Sequence, residues 1–362
     1  MYKYEHGGDI YTQKLAPNGK PFVDYSANIN PLGLPAGIRR AVKLALKDCV
    51  NYPDPFCREL AEAMSKYMQL PKEYFFFGNG AADVLFRLAL ALKPRQAMLL
   101  APTFADYEKA LRTVGCNIIY YNLKPELEFI PDRDIVGKIT QRVKLVVLCN
   151  PNNPTGQLIP RAMLERVLHK CRMVGAHLLV DECFMDFVAS DEAFSLRDLL
   201  ADYPELIILK AFTKTFAMPG IRLGYCLTSD SKLWSALHEA GQDWNVSILA
   251  QKAGIAALKE EDYLRESYKL IAEERAYLCE GLTALGARVY GSKANYIFFY
   301  LKEPKNLVEI MREQGYLLRS CENYHNLGHG YYRIAVKTRV QNRNLLKLIK
   351  EAKRHALFIS VN

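Results

Sequence analysis

Short apolar runs alternate with helical patterns through the middle of the chain. Residues 144–149, 177–180 and 206–209 are brief, rich in Leu, Val and Ile, and apolar on both faces, as buried parallel strands are. Between the first two runs, residues 161–170 carry apolar side chains at helical spacing. The pattern predicts a βαβ unit, in which a helix crosses over between two parallel strands.

A glycine turn lies upstream of this unit. The aromatic run at residues 74–77 ends at Gly78-Asn79-Gly80, and a helical pattern follows over residues 81–90. A turn that opens a helix leaves backbone N–H groups free at the positive end of the helix dipole, which suits a phosphate. The same pattern also fits a plain strand–turn–helix joint.

The character of the chain changes after about residue 245. A long helical stretch over residues 248–285 precedes apolar runs at 294–300 and 331–336, which are typical of strands. We therefore expect an α/β protein whose large domain, residues 40–245, has a mostly parallel central sheet flanked by helices. Residues 1–39 and 246–362 are expected to form a smaller α+β domain.

Each of the three predicted central strands runs directly into a polar cluster. These clusters are residues 150–156, Asp181-Glu182 and Thr213-Lys214. Ligands of open α/β sheets bind outside the carboxyl ends of the strands. If the strands are neighbours, the three clusters converge on one crevice.

Lys214 and Arg222 suggest what that crevice holds. A lysine beside apolar residues is disfavoured as a cation, so its amine can become neutral and nucleophilic. An arginine stays charged and can bind an anion through two parallel hydrogen bonds. An amine together with a phosphate clamp is what a protein needs to hold pyridoxal 5′-phosphate (PLP) as an imine.

Composition narrows the classes of partner. The 362 residues include 48 basic and 39 acidic ones, a formal charge of +9, with no run of five or six like charges. We therefore expect no nucleic-acid partner. No apolar run reaches the ~18 residues of a membrane span, and the chain does not start with a secretory signal, so no membrane partner is expected. Nine scattered cysteines favour a reducing, cytoplasmic location.

A metal site is disfavoured as well. His325 and His329 have the i, i+4 spacing of a helix, but Gly328 and Gly330 beside them indicate a loop. No nearby carboxylate completes a metal site with these two histidines. The sequence therefore predicts no metal ion.

The polar clusters together carry a family resemblance. Asn153-Pro154-Thr155-Gly156, Asp181-Glu182, Lys214 and Arg222 follow one another in an order that resembles the fold type I PLP enzymes, in the aminotransferase class I/II branch. The match is ordered along nearly the whole chain. It implies that fold, a PLP cofactor and a homodimer.

The resemblance assigns four residues to the cofactor ring. Lys214 would form the imine and move protons, and Asp181 would pair with the ring nitrogen and keep it protonated. Asn153 would donate a hydrogen bond to the ring 3′-oxygen. Phe104 would stack on the ring face.

The resemblance also assigns residues to the cofactor phosphate. Gly80 and Ala81 resemble the backbone cradle, which Thr213 and Arg222 would complete. Tyr52 resembles the tyrosine that reaches across the homodimer to the partner's phosphate.

Substrate contacts are implied for a further set of residues. Arg333 matches the arginine that holds the α-carboxylate, Asn153 is assigned to the substrate as well as to the ring, and Arg319 is a second candidate for binding an anion. His6 is a candidate for a phosphate pocket, although a surface position fits its sequence context nearly as well. Ser26 and Asn28 are loop candidates near the substrate.

Two positions depart from the family pattern. Phe184 stands where a tyrosine commonly contacts the 3′-oxygen, and Ala211 stands where a hydroxyl residue commonly contacts the phosphate. The first change should alter the pKa of the imine. The second should weaken cofactor binding by about 0.5–1.5 kcal/mol, one hydrogen bond.

A finer resemblance concerns the reaction. The segments at residues 6–9, 24–35, 181–187 and 319–324 resemble the threonine-phosphate decarboxylases of cobalamin biosynthesis. This implies decarboxylation of a small phosphorylated amino acid, threonine phosphate or serine phosphate. Aminotransfer from histidinol phosphate or an aromatic amino acid, and PLP binding without turnover, remain as alternatives.

Overall fold

The computed structural model describes residues 6–12, 15–17, 19–189 and 193–361, with side chains described as far as residue 354. The α-helices are α1 Ala36–Ala45, α2 Arg58–Met68, α3 Ala81–Leu92, α4 Ala105–Arg112, α5 Ile135–Lys138, α6 Arg161–Val174, α7 Phe212–Thr215, α8 Ser231–Glu239, α9 Ile248–Ala257, α10 Glu261–Ala284, α11 Leu307–Glu313 and α12 Arg339–Val361. The strands are β1 Val23–Asp24, β2 Phe75–Gly78, β3 Gln96–Ala101, β4 Asn117–Asn122, β5 Leu145–Cys149, β6 His177–Asp181, β7 Leu206–Ala211, β8 Gly224–Leu227, β9 Arg288–Val289, β10 Tyr296–Tyr300, β11 Tyr316–Leu317, β12 Arg319–Ser320 and β13 Tyr331–Ala335.

A seven-stranded sheet forms the centre of the molecule. Its strand order is β2-β8-β7-β6-β5-β3-β4. Strands β3 to β7 run parallel, and β8 is antiparallel to both of its neighbours. The predicted βαβ unit is confirmed, because β5 and β6 pair in parallel and α6 connects them. The expected α/β architecture is therefore present.

Apolar residues on both faces of the strands explain why this sheet lies at the centre. Val146 and Leu148 of β5 belong to the core on one face, and Val147 between them belongs to the core on the other. Successive side chains of a strand point to opposite faces. Burying each such side chain contributes about 1.5–3 kcal/mol, so helices are held against both faces.

A second, antiparallel sheet lies in the C-terminal part of the chain. Its strand order is β12-β13-β10-β9, and helices α10 and α12 pack together beside it. The N-terminal segment joins this region, because β1 pairs in parallel with β11. The predicted domain boundary at residue 40 lies within α1, and the boundary at 245 lies between α8 and α9. The division into two domains stays a prediction.

The long helical stretch predicted over residues 248–285 is wrong in one respect, because it is two helices. Helix α9 ends at Ala257 and α10 begins at Glu261. The Ser247 side chain accepts a hydrogen bond from the Ala250 N–H and so caps the start of α9. In the part of the chain that the structure describes, no helix combines the length and apolar character needed to cross a membrane.

Candidate active site

A cavity of about 320 Å³ lies at the carboxyl ends of the central strands. It brings together the ends of β5, β6 and β7, the start of α3, the N-terminal segment and two arginines of the second sheet region. Most of the predicted site residues line it, namely His6, Asn28, Ala81, Phe104, Asn153, Asp181, Thr213, Lys214, Arg222, Arg319 and Arg333, together with Ser26. The convergence expected from the strand ends is therefore present.

Two predicted residues do not line the cavity. Gly80 lies immediately behind it as the N-cap of α3, with φ 82°, and a Cβ atom there would collide with the Arg222 guanidinium. Tyr52 is 77% exposed and stacks on Trp244, with ring centroids 4.6 Å apart. Its predicted role concerns a partner subunit and stays a prediction.

Lys214 is placed in the cavity by the short helix α7, directly after β7. Burial, together with the nearby Arg333 guanidinium, lowers the pKa of its amine from 10.5 to about 8. A substantial fraction of the amine is therefore neutral near pH 8. A neutral amine is the form that can attack an aldehyde.

Asp181 ends β6 and is buried beneath the cavity. The Tyr107 hydroxyl donates to its Oδ2 atom at 2.5 Å, and the Cys183 N–H donates to its Oδ1 atom at 2.9 Å. Burial raises the pKa of this carboxyl group, whereas both hydrogen bonds lower it. The two donors thus help to keep a buried carboxylate charged.

Tyr107 was not predicted as a site residue. It lies in the first turn of α4, three residues after the N-cap Phe104, and the two rings meet edge to face with centroids 5.6 Å apart. Residues three apart are neighbours on a helix surface. That spacing was a signal from which Tyr107 could have been found once Phe104 was assigned to the cavity.

Arg333 is buried on β13 and is held in place from two sides. Its Nη1 donates to Asn153 Oδ1 at 2.6 Å and its Nη2 donates to the Ser26 carbonyl. Its Nε, by contrast, is buried without a hydrogen-bond partner among the described residues. A guanidinium with an unsatisfied donor is poised for an anionic ligand.

Arg319 and His6 lie at the rim of the cavity. The Arg319 guanidinium donates to the Ser320 carbonyl and to Asn323 Oδ1, and it lies 5.1 Å from the Tyr324 ring centroid. It forms no ion pair with a described carboxylate. His6 Nε2 lies 3.0 Å from Asp106. Arg319 is therefore available to an incoming anion.

The two departures from the family pattern are both at the cavity. The ring of Phe184 packs edge-on against Tyr296, with centroids 5.0 Å apart, and offers no hydroxyl there. Ala211, the last residue of β7, also lines the cavity.

The residues present fit PLP. Gly80 and the free N-terminus of α3 leave room for a phosphate beside Arg222. The backbone of Arg222 has a φ of 64°, a rare and strained conformation for a non-glycine residue. The buried carboxylate of Asp181 suits a protonated ring nitrogen. Asn28 Oδ1 and Arg333 Nε are buried polar atoms that lack partners among the described residues, as expected where a ligand completes the site.

The histidines that were weighed as metal ligands make other contacts. His325 Nε2 lies 2.9 Å from Glu108 and His329 Nδ1 lies 3.7 Å from Glu322. Each histidine therefore has one carboxylate neighbour, and the fold brings Glu108 to His325 from a distant part of the chain. The described residues contain no group of three or more potential metal ligands of the His, Cys, Asp or Glu type.

Comparison with known proteins identifies the family. Residues 20–349 match the family described as aminotransferase class I and II. The chain is 34% identical to the threonine-phosphate decarboxylase of Salmonella typhimurium over 97% of each chain. It is 31% identical to a histidinol-phosphate aminotransferase of Desulfitobacterium hafniense over 94% of each chain.

A solved structure agrees with this assignment. The histidinol-phosphate aminotransferase from Clostridium acetobutylicum superposes with a TM-score of 0.86 at 28% identity, over 91% of this chain and 99% of that one. The predicted fold type I architecture and the PLP cofactor are confirmed. The chain thus belongs to the aminotransferase class I and II family and is a PLP-dependent enzyme.

Proposed function

We propose that this enzyme decarboxylates L-threonine O-3-phosphate to (R)-1-aminopropan-2-yl phosphate, as a step of cobalamin biosynthesis. The observation that carries the proposal is the pair of guanidinium groups, Arg319 and Arg333, which line the same cavity as Lys214. A substrate with a carboxylate at one end and a phosphate at the other needs two such groups. The 34% identity to a threonine-phosphate decarboxylase over 97% of both chains supports the same conclusion.

PLP, when bound, supplies an aldehyde that condenses with the substrate amine and a ring that withdraws electrons from the bond to be broken. Asp181 would keep the ring nitrogen protonated through its buried carboxylate. Phe104 would cover one face of the ring and limit its movement. Ala81, Thr213 and Arg222, with Gly80 behind them, would hold the phosphate.

Arg333 would bind the α-carboxylate and fix its direction. The guanidinium is already oriented by Asn153 and the Ser26 carbonyl, so little freedom is lost on binding. Orientation decides the reaction, because the bond aligned with the π system of the ring is the one that breaks. Arg319, with His6 at the rim, would bind the substrate phosphate, and Asn28 Oδ1 is a buried acceptor for a substrate donor.

Lys214 would then donate a proton to the carbon that has lost carbon dioxide. After carbon dioxide leaves, the vacated carbon needs a proton, and Lys214 Nζ lines the same cavity. With a pKa of about 8, this group changes between its ammonium and amine forms near neutral pH, which suits a proton carrier.

Aminotransfer from histidinol phosphate is the second candidate. The similarity to histidinol-phosphate aminotransferases, 31% over 94% of the chain and a TM-score of 0.86, favours it. That reaction also uses a phosphorylated substrate, so one of the two arginines would bind its phosphate, but histidinol phosphate has no carboxylate for the other. It differs in needing a keto acid as amino-group acceptor.

The two candidates are separated by one experiment. Purified enzyme is supplied with threonine phosphate, with and without 2-oxoglutarate, and released carbon dioxide and the amine product are measured. We expect equal carbon dioxide release in both, and slower release with serine phosphate. The loss of one methyl contact is worth about 1–3 kcal/mol in an apolar pocket, or about 10–200-fold. Turnover that depends on the keto acid and leaves the carboxylate in place would overturn the proposal.

We also propose that the enzyme is a homodimer and works in the cytoplasm. Residues Leu46, Val50, Tyr52 and Trp244, here called the exposed apolar face, are each more than half exposed. Tyr52 and Trp244 in this face stack on each other, and large exposed apolar patches typically mark protein–protein contacts. Tyr52 on this face is the residue predicted to reach the cofactor phosphate of the partner subunit.

A further inference from the structure

A buried ion pair lies directly behind the predicted phosphate cradle. Asp83, in the first turn of α3, accepts the Asn79 N–H on its Oδ2 at 3.0 Å. Its Oδ1 lies 3.3 Å from Arg87 Nε one turn later on the same helix. The Arg87 side chain is 5% exposed and that of Asp83 is 27% exposed, so this pair is largely shielded from water.

Arg87 connects α3 to a different part of the chain. Its Nη1 donates to the Leu237 carbonyl at 3.2 Å and its Nη2 donates to the Gln242 carbonyl at 2.7 Å. The Leu237 carbonyl lies in the last turn of α8, where carbonyls lack helical partners and the dipole favours a cation. The guanidinium therefore joins the start of α3 to the end of α8.

Asn245 completes a closed set of contacts. Its Nδ2 donates to Asp83 Oδ2 at 2.6 Å, so residues 237–245 hold both members of the ion pair. Gly241 allows this approach, because a Cβ atom there would stand 2.5 Å from Arg87 Cζ. The contacts of Arg87 with Asp83, Leu237 and Gln242 together fix the position of its guanidinium.

The same contacts fix Asn79 in the glycine turn. Its N–H is held by Asp83, and its carbonyl accepts a hydrogen bond from Arg222 Nη2 at 3.4 Å. Asp83 places a negative charge near the site predicted for a phosphate, which is unfavourable unless a cation balances it. Arg87 supplies that cation from the side remote from the cavity.

Residues 237–245 also carry part of the exposed apolar face. Trp244 lies two residues after Gln242 and directly before Asn245. Its ring stacks on that of Tyr52, with ring centroids 4.6 Å apart. A single set of hydrogen bonds thus connects the cradle at the start of α3 to the aromatic pair on the surface.

We propose that Asp83 and Arg87 are positioning residues that hold the cradle in shape for the cofactor phosphate and couple it to residues 237–245. The inference rests on PLP as the cofactor, with its phosphate at the start of α3, and not on which substrate is used. Neither side chain lines the cavity, so the pair acts through the glycine turn.

The first test displaces the guanidinium without removing it. In Gly241→Ala the new methyl group presses on Arg87, whereas in Gly137→Ala, the matched control, nothing lies within 4 Å of the added Cβ. Full-length protein is stripped of cofactor and reloaded with PLP or with pyridoxal, which lacks the phosphate. We expect Gly241→Ala to bind PLP about tenfold more weakly, the size of one charged hydrogen bond, with pyridoxal affinity nearly unchanged.

An equal loss of affinity for PLP and pyridoxal would reduce Arg87 to a purely structural role and overturn the proposal. So would unchanged PLP affinity in Gly241→Ala. Asn245→Ala serves as a second, milder variant, because it removes one donor from Asp83 and leaves the ion pair intact. It should show the same selective loss for PLP, to a smaller extent.

Hydrogen exchange gives an independent readout of the coupling. The amides of residues 237–245 should exchange more slowly in PLP-loaded than in pyridoxal-loaded wild-type protein, and this difference should shrink in Gly241→Ala but not in Gly137→Ala. Equal exchange rates of these amides in PLP-loaded and pyridoxal-loaded wild-type protein would contradict the coupling. Because these measurements need no turnover, their failure is distinguishable from a failure of the decarboxylase proposal.

Discussion

At the scale of single residues, the environment of each side chain decides what it can do. Lys214 and Lys210 lie four residues apart on the same strand–helix junction, yet their amines differ. Burial beside Arg333 lowers the pKa of Lys214, whereas Asp186, 2.8 Å from Lys210 Nζ, helps to raise the pKa of Lys210. Lys210 is therefore held as a cation, and Lys214 is the lysine that can react.

This difference predicts the pH dependence of cofactor capture. Only the neutral amine attacks an aldehyde, so the rate at which stripped enzyme takes up PLP should rise with pH through a midpoint near 8. Replacing Arg333 by Met removes one of the groups that lower the pKa, so the midpoint should move upward. Rapid-mixing absorbance measurements would follow uptake, and borohydride reduction followed by peptide mapping should find the cofactor on Lys214. A rate that is flat from pH 7 to 9 would contradict the assignment.

Tyr107 gives a second prediction at this scale. Its hydroxyl lowers the pKa of Asp181, so Tyr107→Phe should raise that pKa. The carboxylate is lost as pH falls through its pKa, so PLP affinity of the variant should decline at a higher pH than that of the wild type. Removing a hydrogen bond to a charged group costs about 1.5–3 kcal/mol.

The matched control for this variant is Tyr25→Phe. It also removes a buried phenol hydrogen bond, which is made to Asn342 at 2.9 Å, and neither Tyr25 nor Asn342 lines the cavity. PLP titrations of the three proteins between pH 5 and 8 would measure the effect. Identical pH profiles for Tyr107→Phe and wild type would rule out the role of Tyr107.

At the scale of elements, the site depends on how closely β8 approaches the start of α3. Gly224 opens β8, and a Cβ atom there would collide with the backbone nitrogen of Ala81. The sheet and the phosphate cradle are thus packed backbone to backbone. No side chain can be inserted without moving one of them.

Gly224→Ala is therefore expected to disturb the cradle as well as the sheet. Overpacking of this kind costs about 1–3 kcal/mol, so the variant should unfold at a lower temperature and release PLP faster. Thermal unfolding and cofactor release are the measurements, and Gly137→Ala is again the control. Wild-type PLP retention in Gly224→Ala would show that the close approach is not needed for the cradle.

Local sequence carried enough information for part of this arrangement. The strands and the polar clusters that follow them could be predicted from short stretches of sequence. The spacing of apolar residues, the share of β-branched residues and the change from apolar to polar at a strand end are all local properties. Tyr107 could also have been predicted, because it lies three residues after Phe104. The contacts of Arg333 with Ser26 and of Arg87 with Gln242 join residues 307 and 155 positions apart, and no local pattern encodes them.

At the scale of the whole molecule, the exposed apolar face presents large apolar side chains to water. Val50 is 88% exposed and Tyr52 is 77% exposed, an unfavourable arrangement for a chain that stays alone in water. The face lies on the side of the molecule that carries Trp244 and is connected to the phosphate cradle. We therefore expect a second copy of the chain to cover this face.

We predict a particle of twice the chain mass in light scattering. Val50→Glu places a charge in the proposed interface and should weaken the dimer by at least about tenfold, and it should also weaken PLP retention. Met173→Glu is the control, because Met173 is a 79% exposed apolar residue on α6. A monomeric wild type that keeps its cofactor would contradict both the dimer and the role of Tyr52.

The pairing of β1 with β11 has a consequence for how the enzyme is made. Tyr25 is held by backbone hydrogen bonds with Leu317 and Ala335, and this anchors the loop that offers Ser26 and Asn28 to the cavity. During translation that loop emerges before β11 and β13 and must wait for its anchor until both strands have been synthesised. Nascent fragments that end between Lys214 and β11 would therefore lack a finished substrate pocket, so catalysis cannot begin before the second sheet has been made.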